Sequence, residues 1–228
     1  MTELRVATYN IHQFRGMDRR TDRRRVLRVL ERLDADLIGL QEVPRGQLGR
    51  VRLPGYHALP GPSLLWPGLA SGTALLSRWP IASAHRHDLS VSGRERRGAL
   101  DVSLALRHLR VRLITTHLGL RLHERTDQIE RLLAILDHDE EADVLILCGD
   151  FNEWWPLRLL LGRLHRRLGH QPAPRSFPAP LPLLALDRIW AWGQGHRLRI
   201  RVRAQRRWPA PVASDHRPVL AEIGVEDD

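Results

Sequence analysis

Asp143-Val144-Leu145-Ile146-Leu147-Cys148-Gly149-Asp150-Phe151-Asn152-Glu153 is the stretch on which the fold turns. Five apolar residues in a row, bounded by an acid and by a glycine, are too short for a buried helix and read as a strand covered on both faces. Asp36-Leu37-Ile38-Gly39-Leu40 repeats the pattern and stops at Gln41-Glu42. Upstream of each lies a segment of helical period. Asp22 to Leu33 places Val26, Leu27, Val29, Leu30 and Leu33 on one face, with Thr21 or Asp22 as N-cap, and Glu124 to Leu136 does the same with Ile129, Leu132, Leu133 and Leu136. Leu4 to Asn10 alternates as a strand, and Thr73–Leu76, Ala99–Leu106 and Arg110–Thr116 form a strand series with antiparallel, short connections. Pro156 to Leu168 reads as a further helix, Pro172 to Pro182 is too proline-rich for regular structure, and Leu186–Ala191, Leu198–Arg203 and Val219–Ile223 complete the strands. The order predicts an α/β (α+β) fold: two mixed, mostly antiparallel sheets packed face to face with helices outside, in a single domain over residues 1–228.

Composition narrows the class. The chain has 228 residues with 36 Lys+Arg against 26 Asp+Glu, a formal charge of +10, and all 36 cations are arginine. Arginine in place of lysine is what a GC-rich genome writes. The excess over acids is a separate matter and favours a polyanionic partner. With 43% hydrophobic residues the chain is globular, and the lone Cys148 excludes an internal disulfide framework and a cysteine zinc cluster. No run approaches the ~18 apolar residues of a membrane span, and Met1-Thr2-Glu3-Leu4-Arg5 lacks the apolar run of a secretory signal. The expectation is a cytoplasmic monomer without a transmembrane segment.

Polar residues of one chemical kind stand where the strands end. Asn10, Glu42, His117 and the Asp150/Asn152 pair close strands, Asp187 opens one, and Asp215-His216 precedes the last. Carboxylates, carboxamides and imidazoles on a rigid frame, without a nucleophilic serine or cysteine motif, suit a hard divalent cation and an activated water.

Thr8-Tyr9-Asn10-Ile11-His12, Gln41-Glu42-Val43, Thr116-His117-Leu118, Gly149-Asp150-Phe151-Asn152-Glu153, Leu186-Asp187-Arg188-Ile189 and Ser214-Asp215-His216-Arg217-Pro218 together resemble the ordered motifs of the endonuclease/exonuclease/phosphatase superfamily. The resemblance implies a deoxyribonuclease I-like four-layer αββα sandwich and a hydrolase of phosphoric esters that depends on Mg²⁺ or Mn²⁺. It implies a metal site at Glu42 with Asn10 and Asp215 nearby. Asp150 would orient and deprotonate water, Asn152 would donate to water or phosphate, and His216, held by Asp187, would contact the phosphoryl oxygen. His117 matches a second histidine whose partner in such relatives is a glutamate, here matched to Glu95. Arg97 and Arg217 lie beside these motifs as phosphate clamps. Some relatives carry an acid two positions after the first asparagine, where this chain has His12.

Two function classes follow. One is a phosphodiesterase acting on a phosphate-bearing substrate, either nucleic acid as a nuclease or a phospholipid head group. The other is a catalytically silent nucleic-acid-binding module with a basic surface, against which the intact Asp150, Asn152, Asp187 and His216 set argues. Trp154-Trp155 and the leucines behind them read as a base-stacking platform, as an apolar lip for acyl chains, or as a helix face packed on a sheet.

Overall fold

In the computed structural model of the chain, residues 2–106, 108–138, 142–154, 160–206 and 210–227 are described. Eleven strands and five helices follow in the order β1 (Thr2–Asn10), α1 (Arg23–Leu33), β2 (Leu37–Pro44), β3 (His57–Pro60), α2 (Pro62–Leu65), β4 (Ser71–Ser77), β5 (Ile81–Asp88), β6 (Gly98–Leu106), β7 (Leu109–His117), α3 (Leu122–Asp137), β8 (Val144–Asp150), α4 (Gly162–Leu168), β9 (Asp187–Gly193), β10 (His196–Ala204), α5 (Ala210–Ala213) and β11 (Val219–Asp227). They make a six-stranded sheet, β10-β11-β1-β2-β4-β3, and a five-stranded sheet, β5-β6-β7-β8-β9. The two sheets pack on one another with α1 outside the first and α3 outside the second, which is the expected four-layer αββα arrangement.

Alternation within the central strands builds the layers. Leu4 and Val6 of β1, Leu37 of β2, Leu113 of β7, Ile146 and Cys148 of β8 and Ile189 of β9 meet in the core between the sheets. Their sequence neighbours point outward. Ala7, Tyr9, Ile38 and Leu40 pack under Val26, Val29, Leu30 and Leu33 of α1, while Ile114, Leu145 and Leu147 pack under Ile129, Leu132 and Leu136 of α3. Both faces of β2 and β8 are therefore covered, as their unbroken apolar runs demand. Asp22 caps α1, its carboxylate accepting from the Arg24 N–H at 2.9 Å.

Each sheet contains one parallel crossover: β1-α1-β2 in the first and β7-α3-β8 in the second. The carboxyl ends of parallel strands joined in this way are where open α/β sheets bind ligands. Here both crossovers deliver their strand ends to the same place. In the five-stranded sheet His117 pairs with Asp150, and Asp150 pairs with Asp187, so three site residues stand in one row across β7, β8 and β9.

The sequence reading departs from the structure at several elements, and it assigned neither of the short helices α2 and α5. Of the helix expected over Pro156–Leu168, residues 155–159 lie outside the described ones, and among the described residues α4 covers Gly162–Leu168. Strand β5 went unread because His85, Arg86 and His87 break its apolar alternation, and β3 because it is a four-residue edge strand ending in Pro60. Helix α3 starts at Leu122 rather than Glu124. No described helix is long and apolar enough to cross a membrane.

Candidate active site

Between the strand ends lies a cleft of about 430 Å³, lined by Asn10, Glu42, Glu95, Arg97, His117, Asp150, Asn152, Asp215 and His216 among others. Asp187 stands behind it, fully buried. Ten of the eleven predicted site residues are thus brought together, and the elements explain how. A bulge in β2 between Leu40 and Val43 turns Glu42 into the cleft with a φ of 54°. Positive φ at a glutamate is a strained choice, of the kind found where a side chain must be aimed. Gly149 precedes Asp150 with a φ of 150°, and a Cβ there would stand 2.1 Å from the Thr116 carbonyl oxygen, so only glycine lets β8 approach β7 at this point. Asn152 takes a φ of 50°, turning its side chain back beside Asp150.

Asp150 is the centre of the hydrogen-bond pattern. One carboxylate oxygen accepts from the Asn10 Nδ2 at 3.1 Å and the other from the Asn152 backbone N–H at 3.0 Å. The same Asn10 nitrogen donates to Glu42 Oε1 at 3.1 Å, so a single amide spans the two acids. Its oxygen is turned away, accepting from the His12 N–H at 3.0 Å. Asn10 therefore offers the acids its NH₂ and not its oxygen. Asn152 donates Nδ2 to the Leu118 carbonyl at 2.9 Å, which leaves the second amide hydrogen for the cleft.

Two imidazoles flank Asp150, with His117 Nε2 at 3.6 Å and His216 Nε2 at 3.7 Å from Oδ2. Their environments drive them apart. His216 Nδ1 lies 2.7 Å from Asp187 Oδ2. Burial favours its neutral form, but the Asp187 and Asp150 carboxylates outweigh burial and push its pKa up to about 10. His117 faces a guanidinium instead: Arg97 Nη1 lies 3.3 Å from its Nδ1. Burial first, then the Arg97 charge, lower its pKa to about 3. Because a guanidinium only donates, His117 Nδ1 must accept, and its proton sits on Nε2, aimed at Asp150 and the cleft. The site thus holds one cationic and one neutral histidine.

Two expectations are corrected. Glu95 does not pair with His117: Arg97 stands between them, donating Nη2 to Glu95 Oε2 at 3.0 Å. Arg217 is not a phosphate clamp. Its guanidinium turns away from the cleft and donates to the Ala179 and Pro180 carbonyls, tying down the proline-rich segment. His12 rests against Asp215, Nδ1 to Oδ1 3.4 Å.

Three motif residues were given no role in the sequence reading. Ser214 donates to the Asn10 carbonyl at 2.7 Å and accepts from the His216 N–H at 3.2 Å, tying the segment before β11 to the end of its neighbour β1. Gln41 joins Thr8 of its own sheet to Thr115 of the other at 3.2 and 3.5 Å. Tyr9 is buried under the site, and burial together with the Asp215 and Asp187 charges holds its phenol well above the usual range. All three belong to the motifs, but beside an acid, an amide or a histidine they look like spacer positions.

Glu42, Asp150 and Asp215 bring carboxylate oxygens to one cleft, without sulfur, and Asp187 adds a fourth negative charge behind them. A hard divalent cation suits that donor set, and a phosphate anion entering without one meets a surplus of negative charge. Asp150, Asp187 and His216 also place ligand-capable atoms within 4.8 Å of one another, but His216 Nδ1 is already engaged by Asp187, so that trio is a hydrogen-bonded dyad beside an acid.

The profile of the endonuclease/exonuclease/phosphatase family matches residues 7–216, from the first motif to the last. The chain belongs to this family. The uncharacterized protein YbhP of Escherichia coli K12 is 29% identical over 96% of the chain and 95% of its own length. Among solved structures, a family member from Bacteroides vulgatus superposes with a TM-score of 0.76 at 18% identity, covering 99% of this chain and all (100%) of that one. D. rerio TDP2, solved with a single-strand DNA product, gives 0.75 at 16% identity over 98% of this chain and 100% of its own. At such identities these structures share the fold of this endonuclease/exonuclease/phosphatase protein and nothing narrower.

Proposed function

We propose that the chain is a Mg²⁺- or Mn²⁺-dependent phosphoester hydrolase that cleaves phosphodiesters with a water held by Asp150. The observation that carries the reading is the position of Asp150: its carboxylate is fixed by Asn10 and Asn152, and it stands between His117 Nε2 and His216 Nε2. A carboxylate so held can take a proton from water while two N–H groups on either side receive the phosphoryl oxygens. His216 carries the positive charge that strengthens its contact as negative charge builds on the phosphoryl group, and Asp187 keeps that charge in place and the ring in orientation. Asn152 contributes its second amide hydrogen to water or phosphate. Arg97 reaches the cleft and attracts the anion.

Glu42 and Asp215 would hold the cation, with Asn10 setting the spacing of Glu42 from Asp150. When bound, the ion neutralises a phosphate oxygen and stabilises the leaving oxygen. The dyad also argues against a silent binding module, which has no need of a carboxylate buried solely to charge a histidine.

A turnover screen tests the reading: bis-aryl phosphodiester, phosphomonoester, single- and double-stranded DNA, RNA and phospholipid, each with Mg²⁺ or Mn²⁺. Hydrolysis of the bis-aryl diester that stops in EDTA and returns with either ion is the expected result. Activity that survives exhaustive chelation contradicts the metal site.

A further inference from the structure

The cleft leaves Arg217 and the tip of the proline-rich segment unused, and the structure brings the two together in a second depression. Pro174, Pro180 and Pro182 wall a space of about 950 Å³ whose cations are Arg5, Arg32, Arg175, Arg203, Arg206 and Arg217. No described residue that lines it carries a carboxylate or an aromatic ring. Arg5 and Arg203 are paired with acids, Asp34 at 3.0 Å and Glu222 at 2.7 Å. Arg175 and Arg206 are exposed, and neither they nor Arg217 pair with an acid among the described residues. Arg217 is only 9% exposed and spends Nε and Nη2 on the Ala179 and Pro180 carbonyls. Burial first, and then the Arg206 charge, hold its pKa below the ordinary arginine value. The Arg206 charge is thus felt at Arg217 with no carboxylate among the described lining residues to offset it.

We infer that this depression is a second anion site, separate from the cleft, and that it binds a linear oligophosphate. A guanidinium offers parallel N–H donors to phosphate oxygens, and several guanidiniums around one concavity suit an anion that carries its charges in a row. Three arginines without an acid match such a chain better than they match a single phosphate. A nucleic-acid strand would meet the same charges, but grooves that hold strands without regard to sequence add aromatic rings on which bases stack, and none is among the described lining residues. Prolines and the Arg217 bonds hold the wall in place, so little backbone has to be ordered on binding. The hairpin is also the partition between the two sites: Phe177 and Leu184 at its base line the cleft, while Pro180, Leu181 and Pro182 at its tip line the depression. Two backbone bonds, Arg217 N–H to the Ser176 carbonyl at 2.8 Å and Ala179 N–H to the Asp215 carbonyl at 2.7 Å, fasten it to the segment that carries His216.

Calorimetric titration with sodium tripolyphosphate, at low salt and without divalent metal so that the cleft stays repulsive to anions, tests the inference. Tripolyphosphate should bind at a single site at least about tenfold more tightly than orthophosphate does. The Arg175→Gln/Arg206→Gln variant, changed only at exposed positions and shown to be folded by an unchanged melting midpoint, should lose at least about tenfold of that affinity, while Arg97→Gln in the cleft should keep it within about threefold. In the wild type the ¹⁵Nε signal of Arg217 should move as tripolyphosphate is added, which places the ligand without recourse to a variant. No binding of tripolyphosphate, an unmoved Arg217 signal, or a loss of affinity in Arg97→Gln in place of the double variant would overturn the second site. A single-stranded oligonucleotide of equal charge that binds more tightly than tripolyphosphate and is weakened by the double variant would overturn the choice of ligand.

Discussion

Two histidines of the same type, both buried, differ in charge because one faces Asp187 and the other Arg97. That contrast makes predictions at single residues. In its ¹⁵N spectrum at pH 6 His117 should be neutral with its proton on Nε2, since its pKa is lowered from 6.5 to about 3. An imidazolium at that pH would contradict the assignment. The linked sign is that, between about 6.5 and 3, the unfolded chain takes up a proton that the folded ring refuses, so this residue costs stability progressively as pH falls through that window. Replacing Arg97 with Gln should shift the ring's titration upward and slow diester cleavage by about tenfold or more, while Glu95→Gln should change turnover by less than about threefold. Equal effects of the two would return Glu95 to the site. Asn10, Glu42, His117, Asp150, Asp187 and His216 were all legible as polar residues at strand ends. The contact of Arg97 with His117 was not. Glu95 and Arg97 are two apart in one loop, and only the folded loop shows which of them faces the imidazole.

At the level of elements, the parallel crossovers were readable because α1, β2, α3 and β8 each follow one period without interruption. What failed were edges and turns, where burial does not impose a pattern: β3 and β5 border their sheets, and β5 mixes half-buried and exposed positions irregularly through a histidine-rich run. The turn at the end of β8 provides a test of how an element aims a residue. Gly149 and Gly169 both have positive φ, 150° and 80°, but a Cβ at Gly169 meets nothing within 4 Å. Gly149→Ala should therefore cost clearly more in urea unfolding than Gly169→Ala, by about 1–3 kcal/mol beyond the backbone penalty the two share. Equal losses would show that the close approach of β8 to β7 is not tight. Within α3, Leu132→Ala should cost about 2–5 kcal/mol, as expected for a fully buried leucine under a helix.

The whole molecule matters because the site belongs to neither sheet alone. His216 precedes β11 of one sheet and Asp187 opens β9 of the other; Asn10 ends β1 and Asp150 ends β8. The bonds His216–Asp187 and Asn10–Asp150 both cross the gap between the sheets. Gly39 sets that gap at one point, where a Cβ would stand 2.5 Å from Thr115 Oγ1 and 3.0 Å from Cys148 Sγ. Gly39→Val should keep the far-ultraviolet circular dichroism of the wild type while lowering stability by about 1–3 kcal/mol and turnover out of proportion. Unchanged turnover would mean the sheets can separate without disturbing the dyad. The charge of +10 fits here too, as a field over the whole surface and not as a site: it favours anionic partners, while the acids stand together at the strand ends.

All of this converges on one carboxylate. Asp150→Asn keeps the shape of the side chain and removes its capacity to take a proton from water. With Mn²⁺ present and circular dichroism unchanged, the rate of bis-aryl phosphodiester hydrolysis should fall by at least about 10²-fold relative to the wild type. A variant within a few fold of the wild-type rate would contradict the account at its centre.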